Sequence, residues 1–376
     1  MRRKGVAPAT GLVLVLVLVV VALVVAGAGS AKPEKEPIKV AWIYPGPHND
    51  GGWSQAHEDG RLLVQKTFGD QVQTTYKENV FSNASVPQIV AGLVREGYTM
   101  IFGCSFGNFS NGANGQLYSK YPDVTFEEAT GSQIKKNQSQ YFGAGEDTIY
   151  LSGMAAGAAS KKGLIGYIAP FGTPEVVRHI NAFTLGAQAT HPGAKVKLIW
   201  TNAWYSPPKE TQAAQNLIAA GVDVIGQNVD SPAAGVVAES KGIPWVGYDS
   251  NSQKSAPKQW LTAAVYNWGP YYVKRVQAAL NGTWKPGFYY GSIKDGFTNI
   301  APYGPKVSAK TKAQIAVKKK AIVAGKFHVF EGPIYDQSGK LKVKPGQQLK
   351  LLKDLYTMQW LVKGVVGKVS SVLPPG

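Results

Sequence analysis

Short apolar runs alternate with longer amphipathic runs along most of this chain. The short runs predict strands at 38–44, 73–76, 100–103, 125–129, 164–168, 195–200, 224–227, 245–248 and 261–266. Between them, apolar residues at helical spacing predict helices at 55–66, 86–95, 117–121, 150–161, 175–189, 209–220, 233–241 and 270–280. Such alternation argues for an α/β protein with parallel sheets covered by helices on both faces. Each half runs strand, Gly/Pro loop, helix, strand, helix, strand, so the chain reads as two similar lobes with a break near 143–148. The expected organisation is lobe one at 32–146 plus about 268–324, lobe two at 147–267, and an extension at 325–376 packing on the lobes. In that extension a hairpin is expected at 337–339 and a final helix at 349–366. Open parallel sheets hold ligands beyond the carboxyl ends of their strands, so two facing lobes imply a hinged cleft.

The first residues change the setting. Arg2, Arg3 and Lys4 precede an unbroken apolar run at 12–26 and small residues at 27–31. This order is that of a secretory signal peptide, expected at 1–31, with cleavage after Ala28 or Ala31. The run is shorter than the ~20 residues that span a bilayer, which favours export over an uncleaved membrane anchor. The expected location is the periplasm or the outer face of the cell membrane. The remaining length suits two domains rather than one core. A single cysteine, Cys104, excludes an intrachain disulfide and reads as a small buried hydrophobe at a strand end. The net charge is +17, but 14 lysines from Lys306 onward against Glu331, Asp336 and Asp354 leave +11 in that stretch alone. The basic run at 309–324 has no interleaved aromatics, so it predicts a solvated helix face or attraction to an anionic envelope, and no nucleic-acid partner.

The strand-end loops carry the candidate chemistry. Trp53 with Asp50 follows the first strand, Phe106 and Phe109 the third, Phe171 the first strand of lobe two, Trp204 and Tyr205 the next, and Asn267 with Trp268 a late one. Acids and amides stand among them, including Asp230 and Asp249. Flat rings stack on aromatics for about 1–3 kcal/mol each. Carboxylates accept hydrogen bonds from ring N–H and amine donors. The plainer roles are core packing for any one ring, a helix N-cap region for Asp230 before Ser231-Pro232, and an Asx-turn for Asp249. Gly143-Ala144-Gly145 lacks a third glycine, no phosphate-binding Gly-Lys-Ser/Thr occurs, and the five histidines lack metal-ligand spacing. His57 and Glu58 fall at an amphipathic helix start and read as solvated surface. No catalytic residue, metal or cofactor is expected.

Several motifs together resemble the basic membrane protein family of substrate-binding proteins for ABC transporters, whose characterised members bind purine nucleosides or nucleobases. They include Asp50-Gly-Gly-Trp53-Ser54, Ser105-Phe-Gly107, Phe126-Glu-Glu-Ala-Thr-Gly131, Pro174-Glu-Val-Val-Arg178, Trp204-Tyr205, Asp230-Ser-Pro232 and Asn267-Trp-Gly-Pro-Tyr-Tyr272. The chain looks most similar to the branch that binds adenine-like bases. The resemblance implies a type I periplasmic-binding-protein fold with a purine in the interdomain cleft. By position, Trp53 would stack on the base from lobe one and Trp204 or Tyr205 from lobe two. Asp230 and Asp249 would read polar edges, Phe106 would line the wall, and Glu128 and Asn267 complete the candidate set. The chain departs from relatives in lacking a lipoprotein cysteine, and in placing Glu128 and Asp249-Ser250 where the adenine-like branch tends to have His and His-Ser. Acids there favour ligands with more N–H donors, such as guanine or a nucleoside. The expected protein is a monomeric extracytoplasmic solute receptor that closes on its ligand and delivers it to an ABC permease. A sensor for a membrane receptor, or a nucleoside hydrolase using Asp50 or Glu128, are the alternatives.

Overall fold

The strands are short apolar segments flanked by loops of Gly, Pro and Asn. In chain order they are β1 (Ile38–Ile43), β2 (Val72–Lys77), β3 (Met100–Gly103), β4 (Thr125–Ala129), β5 (Gln138–Gly143), β6 (Leu164–Ala169), β7 (Lys195–Trp200) and β8 (Val224–Gln227). Then come β9 (Trp245–Asp249), β10 (Trp260–Tyr266), β11 (Phe288–Gly291), β12 (Thr298–Ile300), β13 (Ile334–Tyr335), β14 (Leu341–Val343) and β15 (Val365–Val366). This computed structural model describes Met1, Gly5 and residues 36–374, with Asn111 and Ser132 excepted. The expected signal peptide therefore falls almost wholly outside the described residues.

The first sheet has the order β11-β5-β4-β3-β1-β2 and the second β12-β10-β9-β8-β6-β7-β15. All neighbours are parallel except β12 against β10. The segment β2-β1-β3-β4-β5 of one sheet repeats as β7-β6-β8-β9-β10 of the other, so the pseudo-repeat is visible in the topology. Each sheet reverses its winding at one place, between β1 and β3 and between β6 and β8. The chain is a mixed α/β protein of the type I periplasmic-binding-protein kind.

Local chemistry explains where the helices begin. Thr173 caps the helix Pro174–Thr190 by accepting from the Val176 N–H at 3.4 Å, with Pro174 at its first position. The helix Gly145–Ala159 is buried along nearly its whole circumference, which its small residues permit. A Cβ at Gly153 would sit 2.3 Å from the Phe183 carbonyl oxygen, so only glycine allows this approach to the helix Pro174–Thr190.

The chain passes between sheets three times: after β5 into the helix Gly145–Ala159, after β10 into the helix Gly269–Leu280, and from β11 to β12. Residues 268–324, expected whole in lobe one, are thus shared, with β11 in the first sheet and β12 in the second. β5 was not among the expected strands, because Gln138-Ser-Gln reads as polar although every residue of β5 is buried.

The final helix expected at 349–366 is absent. A single wide helical turn at Leu351–Leu355 is followed by extended chain and by β15, which pairs with β7. The apolar residues there are buried against lobe two: Leu355, Met358, Leu361, Val362 and Val365 are each below a tenth exposed. Their backbone partners come from other elements. The Asn181 side chain donates to Trp360 O at 2.8 Å and accepts from Val362 N at 2.9 Å. The hairpin around Gln337–Gly339 is present, and the lysine-rich segment forms the helix Ala309–Val323 with only Thr311 and Ile315 buried.

Candidate functional site

The loop after β1 is organised by Asp50. Its carboxylate accepts from Gly52 N (2.8 Å), Ser54 N (2.9 Å) and Gln55 N (3.0 Å), and so closes the start of the helix Trp53–Phe68. Burial pushes its carboxyl up despite these three bonds. Trp53 is the first residue of that helix and is 7 % exposed. Its indole N–H donates to Cys104 O at 2.6 Å, which ties the loop after β1 to the loop after β3. Tyr266 and Trp268 meet it edge-on, so the ring is held from two sides.

A cavity opens where the two winding reversals face each other, enclosing about 400 Å³ of empty space with its mouth. Pro45, Trp53, Ser105 and Phe106 line it from the loops after β1 and β3. Trp204, Asn228, Asp230 and Tyr248 line it from lobe two, with Glu175 from the start of the helix after β6 and Thr130 from the loop after β4. This is where open parallel sheets place ligands. The lobes touch across it. The hydroxyls of Ser250 and Ser252 donate to Gly51 O, and a Cβ at Gly52 would lie 2.1 Å from Asp230 O. The arrangement is that of a closed cleft.

The cleft is acidic. Burial, followed by the charges of Asp50 and Asp249, holds Asp230 well above the usual carboxylate range. Burial, then Asp50 and Glu175, does the same to Asp249, whose two oxygens lack well-formed hydrogen bonds among the described residues. Burial pushes Glu175 up to about 7 although Arg178 opposes it. Glu210 reaches about 7 by burial against hydrogen bonds from Ser231 and the Ser206 N–H. Such a site favours a ligand that brings N–H donors.

The structure gathers four of the candidate residues, Trp53, Phe106, Trp204 and Asp230, around the one cavity. It places the others differently. Asp50 caps a helix from beneath the loop. Glu128 is fully buried and engaged by Phe109 N, Ser110 Oγ and Gln140 Nε2, which fill its acceptor positions away from the cavity. Asp249 and Asn267 line a separate, open depression beside the helix Trp53–Phe68. Tyr205 stands near Gly46, 3.8 Å from where its Cβ would be. Of the other lining residues, Ser105, Thr130 and Glu175 fall within motifs that carry the resemblance but were given no role, and Pro45, Asn228 and Tyr248 were not named as candidates although they follow or end strands.

His57 and Glu58, expected on a solvated face, are buried at 0 % and 5 %. The helix Gly269–Leu280 and the residue before it cover His57, whose Nδ1 bonds Tyr272 Oη at 2.5 Å and whose ring stacks on Trp268. Glu58 pairs with Arg61 at 2.6 Å and accepts from Tyr44 Oη. Burial keeps His57 neutral. Cys104 is buried and its thiol is pushed up to about 12 by burial, as a structural cysteine requires.

Fold and cleft together define a two-lobed solute-binding protein. The family model described as "ABC transporter substrate-binding protein PnrA-like" matches residues 38–327, and the chain belongs to that family. It is 39% identical over 341 residues to a purine-binding protein of Brucella abortus (strain 2308), covering 89% of this chain and 95% of that one. It is 32% identical, over 90% of this chain and 83% of the other, to a Haloferax volcanii protein whose name assigns it to glucose binding in an ABC transporter. A solute-binding protein of an ABC transporter system from Aeropyrum pernix K1 shares the fold, with a TM-score of 0.69 at 14% identity over 78% of this chain and 93% of that one.

Proposed function

We propose that this chain is the extracytoplasmic receptor of an ABC importer for a purine base or nucleoside. The observation that carries the reading is the placement of Trp53 from one lobe, and Trp204 with Asp230 from the other, on a single closed cavity. The purine-binding relative supports the choice of ring. In this reading Trp53 and Trp204 stack on the heterocycle and Phe106 packs at its edge. Asp230 accepts from its N–H groups, with Glu175 as a second acceptor and Asn228 as a two-sided amide. Asp249 acts through the field it adds to Asp230. The acids select against anionic ligands and for amino- and imino-rich rings.

Function then follows from closure. The ligand enters between separated lobes and adds contacts that exist only in the closed form, so it shifts the population toward the form a membrane permease recognises. The chain acts as a monomer, performs no covalent chemistry, and works outside the cytoplasm after export. Among the described residues no helix is long and apolar enough to cross a membrane.

Calorimetric titration with adenine, guanine, adenosine, guanosine and glucose tests the reading. Saturable heat with at least one purine and none with glucose is expected. Saturation by glucose, with all purines silent, overturns it.

A further inference from the structure

A second chamber adjoins the cleft and shares four of its walls: Phe106, Thr130, Glu175 and Trp204. It is the roomier of the two, with about 1030 Å³ of empty space against about 400 Å³, mouths included in both. Its outer wall comes from the C-terminal segment, through Tyr356, Leu373 and Pro374. That segment lies beyond residues 38–327 matched by the family model. It is fixed to lobe two. Trp200 Nε1 donates to Lys368 O at 3.0 Å, Gln359 Nε2 donates to Gly172 O at 3.2 Å, and a Cβ at Gly172 would lie 2.1 Å from Ser370 O. From lobe one, Asn83 Nδ2 holds the Phe106 carbonyl at 3.0 Å and so fixes the opposite wall.

Two features say what this chamber accepts. Phe106 and Leu373, two large apolar side chains of its lining, are 48% and 69% exposed. Its cation, Arg178, is balanced by neighbouring charges and rings, although its buried Nε makes no hydrogen bond among the described residues. The guanidinium lies 5.4 Å from the Phe142 ring and 5.1 Å from the Tyr356 ring, with Glu146 at 3.7 Å and Glu175 beside it. One positive charge beside two carboxylates leaves no net positive charge to favour a phosphate. An apolar group buried between Phe106 and Leu373 gains free energy in proportion to the area removed from water, about 25 cal/mol per Å².

We propose that the C-terminal segment builds a second, apolar subsite, and that the protein takes a planar heteroaromatic ring carrying an uncharged apolar substituent. The proposal rests on the ring-binding reading above and extends it. The ring sits between Trp53 and Trp204, and its substituent passes Phe106 and Thr130 to lie under Leu373 and Pro374.

The test is a calorimetric comparison of adenine with N6-benzyladenine, of guanine with N2-benzylguanine, and of adenosine with its 5′-monophosphate. It is run on the full chain, on a chain ending at Ser371, and on Leu373→Ala. For the wild type, at least one benzyl base is expected to bind about tenfold or more tighter than its parent, a difference of about 1.4 kcal/mol. Both variants should shrink that advantage to about threefold or less while leaving the parent base unchanged. The monophosphate should bind more weakly than adenosine. Equal or weaker binding of both benzyl bases by the wild type overturns the subsite and leaves the ring reading standing. So does an equal loss for parent and derivative in the shortened chain, which makes the segment a general brace. Silence from every purine overturns both.

Discussion

Single residues in the cleft carry separable tasks. Trp53 is held by its N–H bond to Cys104 O and by edge contacts from Tyr266 and Trp268, so its ring face is preorganised. Replacing it with alanine removes one stacking partner, and calorimetry should show about tenfold or more weaker ligand binding, consistent with ~1–3 kcal/mol per stacked base. Glu175 sets a pH dependence. Its folded value is about 7 and its ordinary value 4.5, so between these the folded chain binds more protons than the unfolded one. Stability therefore falls as pH rises through that window, and Glu210 acts in the same direction. Thermal denaturation without ligand should give a melting temperature a few degrees higher at pH 5.5 than at pH 8, and Glu175→Gln should flatten the slope. At this scale the sequence was half legible. Of the loop aromatics, Trp53, Phe106 and Trp204 line the cavity, whereas Phe109, Phe171 and Trp268 are buried in packing, a division that loop position alone does not make. Asp50 spends its oxygens on the backbone N–H groups of Gly52, Ser54 and Gln55, a local helix-start pattern, whereas Glu128 spends its own on Phe109, Ser110 and Gln140, an accounting that only the folded lobe reveals.

Among elements, the helix Trp53–Phe68 decides whether the lobes can meet. Its leading glycine, Gly52, lies against Asp230, where a Cβ would come within 2.1 Å of the carbonyl oxygen. Its backbone, at φ −138° and ψ −115°, lies outside the main regions open to residues with a Cβ, so Gly52→Ala should strain the helix start locally as well as prop the cleft open. Small-angle scattering should then show a larger radius of gyration with saturating ligand than for the wild type, and affinity should drop at least about tenfold. The C-terminal extension makes a second case. Asn181 satisfies Trp360 O and Val362 N from within a buried helix, so Asn181→Ala should cost about 1–3 kcal/mol for each backbone group left unsatisfied. Limited proteolysis should then cut near Trp360 before it cuts elsewhere. Most helices and strands were visible in the apolar periodicity, several to the residue. The failures share a cause. β5 takes its burial from neighbours on both faces rather than from apolar residues of its own. The chain at 349–366 has helical apolar spacing but finds its hydrogen bonds on Asn181, Gln188 and β7, and so it stays extended.

For the whole molecule, the repeated strand order places both winding reversals opposite each other, and this alone fixes where a ligand can be gripped from two sides. Three chain crossings between the sheets leave relative rotation of the lobes as the natural motion. A ligand that touches both lobes stabilises the closed form by as much as its contacts there exceed those in the open form. The two-lobe plan was legible from the alternation of strands and helices, whereas the C-terminal wall of the chamber beside the cleft was not, because its residues reach that place only through their docking on lobe two. The central claim is that a planar heterocycle lies between the lobes with indole against at least one face. A crystal structure grown with the purine that titrates most tightly tests it most directly. Density for the ring in contact with Trp53 or Trp204, with Asp230 at hydrogen-bond distance from a ring or amine nitrogen, is the expected result. Ligand density elsewhere on the molecule, with both indoles bare, would contradict it.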